Sequence, residues 1–221
     1  MIRPVCTEIS EFLPVDTKEV ARYAGVKIPD EKTYALIRSC ADELYGKFSA
    51  TFKICYAVLP LIVSEDIADF SVFSLKSKDL ARCLKGAKTA IVLACTMGFQ
   101  VDKAINRYAE LDAPRALIFQ ALGAERVETY LDKFSADLSE ENNFRLTPRF
   151  SPGYGDLPLS AQKPIFDLLS PQKYIGLTLN DSLLMSPSKS VTAIVGINGD
   201  KTFKNQGCKD CNAVNCEFAR K

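Results

Sequence analysis

Apolar residues along this chain recur at two spacings, and each change of spacing marks an element. Val15 to Gly25 reads as a short helix, with Asp16 or Thr17 as its cap and Gly25 as its stop. Asp30 precedes a stronger helix, in which Ile37, Cys40, Ala41, Leu44 and Phe48 fall at helical spacing. Phe52 to Val63 is rich in β-formers and predicts a strand broken near Pro60. FSVFSL, residues 70–75, predicts another strand, and Ser77 caps a short helix that ends at Gly86. TAIVLACTMG, residues 89–98, is a continuous apolar run, which a strand buried on both faces requires. Val101, Ala104, Ile105 and Tyr108 return to helical spacing.

The longest predicted helix starts near Asp112-Ala-Pro and runs to about Leu138. Its clearest stripe is Leu117, Ala121, Ala124, Leu131 and Ser135, with Glu128 at the centre. A carboxylate on an inward face costs free energy unless something pairs with it. Glu128 therefore either snorkels, bonds a polar group of the core, or meets a ligand. LSAQKPIFDLLS, residues 159–170, predicts a helix capped near Ser160, and the alternating SVTAIVGI, residues 190–197, a strand. Strands and helices mix without a βαβ rhythm or an internal repeat, which makes the expected class α+β.

Composition narrows the chemistry. At 47% hydrophobic and 25% charged, the 221 residues are those of a folded chain. A net charge of +1 gives no electrostatic footprint for nucleic acid or an anionic membrane. Histidine is absent. The chain thus supplies no Ser-His or Cys-His couple and no imidazole ligand, and any acid or base must be Asp, Glu, Lys, Tyr or Cys. No stretch of about 18 apolar residues occurs. The first sixteen residues lack a secretory h-region. The expected location is cytoplasmic, where the eight cysteines would be reduced.

Two stretches stand out. In RFSPGYGDLPLSAQK, residues 149–163, Pro152 fixes its own φ and keeps Ser151 extended, while Gly153 permits a turn and a close ligand approach. Arg149 adds a planar fork suited to a carboxylate or phosphate, and Tyr154 an aromatic face with a hydroxyl. The same pattern is also that of a plain Pro-Gly turn with a surface arginine. Near the C-terminus, Cys208, Cys211 and Cys216 form C-x-x-C-x-x-x-x-C. Three thiolates so spaced suit zinc or an iron–sulfur cluster with one position open, a reactive thiol pair, or an inert reduced tail. Cys6, Cys40, Cys55, Cys83 and Cys95 lie mainly in apolar segments and are expected in the core. TMGF, residues 96–99, is either a ligand-lining turn or a plain strand-to-helix turn. Lys76, Lys78, Arg82 and Lys85 make a solvated helix face or a docking patch.

R-x-x-P-G-Y at 149–154, a helix ending in D-L-L at 167–169, and IGLTLNDSLLMSPSKSV at 175–191 together resemble the activation domain of cobalamin-dependent methionine synthase. LGAERVE, residues 122–128, is similar to that family's preceding helix, and the first hundred residues resemble free-standing activation proteins only loosely. The resemblance implies a twisted, mainly antiparallel sheet with flanking helices. It also implies an N-terminal portion over 1–110, an activation-domain-like portion over 111–203 and a Cys-rich tail over 204–221, all within one domain.

In that family the domain binds S-adenosylmethionine beside cobalamin, whose cobalt(II) form is rescued by one-electron reduction and methylation. By that likeness Arg149 would hold the methionine carboxylate and Glu128 the α-ammonium. Ser151 and Gly153 would contact the ligand, Tyr154 would face the corrin, and Phe203 falls roughly where the family has an adenosylmethionine-contacting Tyr. Two departures follow: the family's N-terminal ligand-contacting acid has no assigned position, and Met185-Ser-Pro187 replaces Met-Trp-Pro. The implied partner is a cobalamin-binding methionine synthase lacking its own activation domain, with an electron donor such as flavodoxin or ferredoxin. The alternatives are a metal-cluster electron carrier or corrinoid-protein activator working through its cysteine tail, and a scaffold that docks without binding the cosubstrate.

Overall fold

The computed structural model describes residues 3–198. Its elements are β1 (Val5–Ile9), α1 (Thr17–Tyr23), α2 (Glu31–Gly46), β2 (Phe52–Pro60), β3 (Ile62–Val63), β4 (Ile67–Asp69), β5 (Ser74–Lys76), α3 (Lys78–Cys83) and β6 (Thr89–Thr96). They continue with α4 (Phe99–Ala109), α5 (Ala113–Asn142), β7 (Arg145–Leu146), α6 (Gln162–Leu169), α7 (Pro171–Ile175), β8 (Thr178–Leu179), β9 (Met185–Ser186) and β10 (Ser190–Asn198).

Four helices start where short polar side chains accept the first free amides: Asp16, Asp30, Ser77 and Asp112 cap α1, α2, α3 and α5. The main sheet has the order β1-β2-β6-β10-β7, and every neighbouring pair is antiparallel. This is the α+β fold with a mainly antiparallel sheet and flanking helices that was expected. Because successive strand residues point to opposite faces, β6 divides its apolar run between two cores. Ile91, Leu93 and Cys95 join the layer beneath α1, α2, α4 and α5, and Ala90, Val92 and Ala94 the layer beneath α3, α6 and α7.

Three expectations need correction. Residues 70–75 are not one strand. Phe70–Phe73 is the turn of the β4–β5 hairpin, where Ser71 sits at φ 67° and its amide donates to Asp69 Oδ1 at 2.8 Å. The two phenylalanine rings that suggested a strand pack against each other, centroids 4.9 Å apart. β1 and the β8–β9 hairpin had no forecast: four of the five β1 residues are exposed, so no apolar alternation marks that edge strand. Cys6 lies on it, exposed, and is not a core cysteine.

The third correction concerns α5. Its buried residues are Ile118, Phe119, Ala121, Leu122, Gly123, Glu125, Arg126, Val127, Tyr130 and Leu131, whereas Leu117 is half exposed. The inward face is thus rotated from the predicted stripe, because α1, α2 and α4 cover the helix from its sides. Gly123 lets α5 approach closely: a Cβ there would lie 2.7 Å from Val101 Cγ1 and 2.8 Å from Lys189 Cγ. The same rotation leaves Glu128 on the border of the buried face.

Candidate functional site

Arg149 is aimed by the strand beside it. The Phe150 amide donates to Ile194 O at 2.9 Å and the Ile194 amide to Phe150 O at 2.8 Å, which ties this segment to β10 beyond β7. Phe150 packs into the α6–α7 layer. Strand alternation then turns Arg149 to the opposite face, toward α5. There Nη2 donates to Glu128 Oε2 and Nη1 to Asp132 Oδ1, both at 2.7 Å. Burial works against the arginine's charge, but Glu128 and Asp132 outweigh it and its pKa is raised. Glu128 and Arg149, which the resemblance assigns to the ammonium and the carboxylate of one ligand, are thus bonded to each other. Asp132, one turn further along α5, was not foreseen.

Glu128 and Asp132 also line a cavity of about 270 Å³, together with Asp16, Glu19, Tyr23, Glu125 and Thr129. Five of these seven residues are carboxylates, of which Glu19 is paired with Arg22, Glu125 with Arg126, and Glu128 and Asp132 with Arg149. α1 contributes Asp16, Glu19 and Tyr23, which brings acids from the N-terminal segment to the same place as the Arg149 cluster. Only tertiary packing joins them.

Behind the cavity is a second cluster. Arg126, fully buried, donates through Nε to Glu125 Oε2 at 2.5 Å and through Nη2 to Glu125 Oε1 at 2.6 Å. Its Nη1 and Nη2 also donate to Leu13 O and Pro14 O, at 2.6 and 2.9 Å. Glu125 Oε1 in turn accepts from Thr129 Oγ1 at 2.9 Å and from the Asp16 amide at 3.1 Å. Tyr130 Oη donates to Glu11 O at 2.8 Å. These bonds strap residues 11–16 across α5 and so fix the wall from which Asp16 and Glu19 project.

The Ser-Pro-Gly-Tyr loop is a braced turn. The Gly153 amide donates to Leu157 O, the Tyr154 amide to Ser151 O and the Leu157 amide to Tyr154 O, with Gly153 at φ 91°. Asp156 clips the loop to the start of α3: it accepts from Ser77 Oγ, from the Lys78 amide at 2.8 Å and from the Asp79 amide at 3.2 Å. The Ser77 hydroxyl and those amides hold the Asp156 carboxyl below its usual range, against a smaller effect of burial. Pro152 is buried, Gly153 exposed, and Tyr154 52% exposed. Arg149, which reaches the cavity's border through Glu128 and Asp132, is not among its lining residues, and neither are Ser151, Gly153 and Tyr154.

Phe203, Cys208, Cys211 and Cys216 lie outside the described residues. Among the described residues, no group of three His, Cys, Asp or Glu side chains could hold a metal ion, and no helix is long and apolar enough to cross a membrane. Cys40, Cys55 and Cys95 are buried, and burial raises all three thiol pKa values, Cys40 to about 11 and Cys55 to about 12. Cys83 is partly buried, its thiol 3.4 Å from Pro148 O. Gly98 caps α4 in TMGF at φ 71°, and none of those four residues lines the cavity.

No family model matches the chain, and no curated protein matches it by sequence. Among solved structures, the fold is similar to one described as the crystal structure of the MetH reactivation domain bound to AdoHcy, with a TM-score of 0.63. The superposition covers 92% of this chain and 81% of that one at 14% identity, a level at which the likeness shows a shared fold.

Proposed function

We propose that this chain is a reactivation factor for a cobalamin-dependent methionine synthase, acting on a separate partner that carries the cobalamin. The observation that carries the reading is the Arg149–Glu128 contact, 2.7 Å, beside a carboxylate-lined cavity within a fold like that of an AdoHcy-bound reactivation domain. S-adenosylmethionine has the matching chemistry. Its α-carboxylate suits the guanidinium fork, and its ammonium and sulfonium suit the acids.

In this reading Arg149 orients the amino-acid end of the cosubstrate and Glu128 takes its ammonium. Ser151 and Gly153 continue the contact along the braced loop, and the family resemblance assigns a further contact to Phe203. Tyr154, at the exposed end of that loop, meets the partner's corrin. The substrate cobalt(II) accepts one electron from a donor such as flavodoxin or ferredoxin, and the reduced cobalt then takes the methyl group, leaving S-adenosylhomocysteine. The chain supplies no acid or base to that transfer. It holds donor and acceptor in line, which is catalysis by proximity.

The test is reactivation. A methionine synthase lacking its own activation domain and trapped as cobalt(II) is mixed with this protein, S-adenosylmethionine and a reductant, and corrin absorbance is followed. The expected result is conversion to methylated corrin and return of turnover. Conversion no faster than with reductant and cosubstrate alone would refute the reading. Tyr154→Ala should slow reactivation while leaving cosubstrate binding unchanged, since the residue does not line the cavity.

A further inference from the structure

We infer that Cys6 and Cys55 form a redox clasp: a dithiol site that closes to a disulfide on exposure to a low-molecular-weight disulfide such as oxidised glutathione, and so pins β1 to the rest of the sheet. The inference goes beyond the proposed function and does not depend on it. Cys6 and Cys55 are register partners in the β1–β2 pair. Residues directly opposite in an antiparallel pair point to the same face, with Cα atoms about 4.5 or 5.5 Å apart. Both values lie inside the range of about 4.4–6.8 Å that a disulfide spans. Cβ atoms of such a pair start about 4.5–5.5 Å apart and a disulfide brings them to about 3.5–4.5 Å, so the strands must close slightly. β1 can supply that movement, because it is an edge strand that pairs with β2 alone and four of its five residues are exposed. β2 is the fixed side, paired with β6 from Lys53 to Pro60. Among the described residues no other cysteines are placed so. Cys95 lies one register position from Cys55 on β6, but it faces the layer beneath α5 while Cys55 faces the layer beneath α6 and α7.

The two thiols differ in access, which sets the order of events. Cys6 is exposed and Cys55 is fully buried, so Cys6 meets the oxidant. Its thiolate attacks one sulfur of oxidised glutathione, the reagent's S–S bond breaks, and one glutathione leaves, with a mixed disulfide left on Cys6. Cys55 then attacks the Cys6 sulfur. The second glutathione departs and takes up the Cys55 proton, and the Cys6–Cys55 bond forms. Two protein thiols are oxidised, and one glutathione disulfide is reduced to two thiols. Burial raises both thiol pKa values, Cys55 to about 12; Cys6 adds to the rise at Cys55, and Arg3 works against it at Cys6. The attacking thiolate is therefore scarce at neutral pH, and closure should speed up as pH rises. What the clasp holds is the N-terminal wall of the cavity: β1 leads into residues 11–16, which Arg126, Glu125 and Tyr130 strap across α5.

The experiment is incubation of the full chain with oxidised glutathione at mildly alkaline pH, followed by peptide mapping without reduction. The expected product is a linked peptide pair carrying the Cys6–Cys55 bond, lighter by two hydrogen atoms than the separate peptides and cleaved by dithiothreitol. Cys55→Ala should stop at glutathione on Cys6, and Cys6→Ser should leave Cys55 unmodified. In a Cys208→Ser, Cys211→Ser, Cys216→Ser background, where the C-terminal thiols cannot contribute, closure should raise the melting temperature by about 4 °C or more. Wild type without the linked pair would overturn the inference, whether Cys6 stays unmodified, keeps its glutathione, joins Cys6 of a second chain or pairs with a C-terminal cysteine. So would a Cys6–Cys55 bond that lowers the melting temperature, since strain would then outweigh the restraint. None of these results bears on the S-adenosyl ligand, and the site reading is tested separately.

Discussion

Two arginines meet α5 carboxylates within about one turn of each other, and they do opposite things with the same chemistry. Arg126 is fully buried among internal partners: both oxygens of Glu125, two backbone carbonyls of the 11–16 strap, Thr129, Tyr45 and the Tyr130 ring. Arg149 is 21% accessible and splits its fork between two acids that border a cavity. The first cluster is closed, with no bond a ligand could replace without stranding a buried charge. The second is open, since either acid can turn to water or to a cation. Number of partners and exposure, more than the pairing of arginine with carboxylate, separate a structural ion pair from one able to exchange. A third cluster grades between them: Arg115, 18% accessible, bonds Glu43 at 2.6 Å and ties α2 to α5.

The largest expected effect breaks the closed cluster. Arg126→Met leaves Glu125 buried without its cation, which costs about 3–5 kcal/mol, a fall in melting temperature of about 6–20 °C for a chain of this length. Glu125→Gln combined with Arg126→Met should recover much of that loss, because neither charge is then stranded. Recovery close to zero would mean that the bonds to Leu13 and Pro14, and not the ion pair, carry the cost.

Arg149→Met should behave differently. Its partners are partly solvated, so stability should change by about 1 kcal/mol or less. A loss as large as that of Arg126→Met would place both arginines in the structural class and erase the contrast. Salt sharpens it: raising ionic strength should screen the Arg149 cluster and leave the Arg126 pair nearly unaffected, read as the salt dependence of each variant's melting temperature against wild type.

The smallest effect concerns pH. Glu43 is partly desolvated, which raises its pKa. Bonds from Tyr108 at 2.7 and 2.8 Å, and from Lys47 and Arg115, outweigh this and bring it to about 2. A depressed carboxyl pKa adds stability above its ordinary value, and that stability is lost as pH falls from the ordinary 4.5 toward about 2. Urea midpoints of Glu43→Gln should therefore fall less steeply than wild type across that window. Parallel curves would remove Glu43 from the account of acid sensitivity.

Much of this architecture was readable because local chemistry and tertiary structure agree. Asp16, Asp30, Ser77 and Asp112 announce helix starts, and each accepts a backbone amide in the fold. The run at 89–98 is apolar because both faces of β6 are covered. The failures also have causes. β1 is an exposed edge strand with no buried face to pattern it. The phase of α5 was misread because a search for apolar residues passes over Glu125 and Arg126, two of its most buried positions. Of the candidate site, resemblance singled out Arg149 and Glu128 as contacts of one ligand; that they bond each other across 21 residues of sequence was not foreseen. Asp132 looked like any polar helix residue, and Asp16 like a helix cap alone. Their place at the cavity depends on how α1 and the 147–150 segment pack against α5, which no local pattern records.

Whether the cavity beside Arg149 and Glu128 receives an S-adenosyl amino acid is tested most directly by titration with S-adenosylhomocysteine, which needs neither a partner protein nor corrin. Wild type should give saturable one-to-one heat, and Arg149→Met should lose about tenfold or more in affinity while keeping its melting temperature within a few degrees. Equal titration curves for the two proteins, or no heat from wild type, would contradict the account.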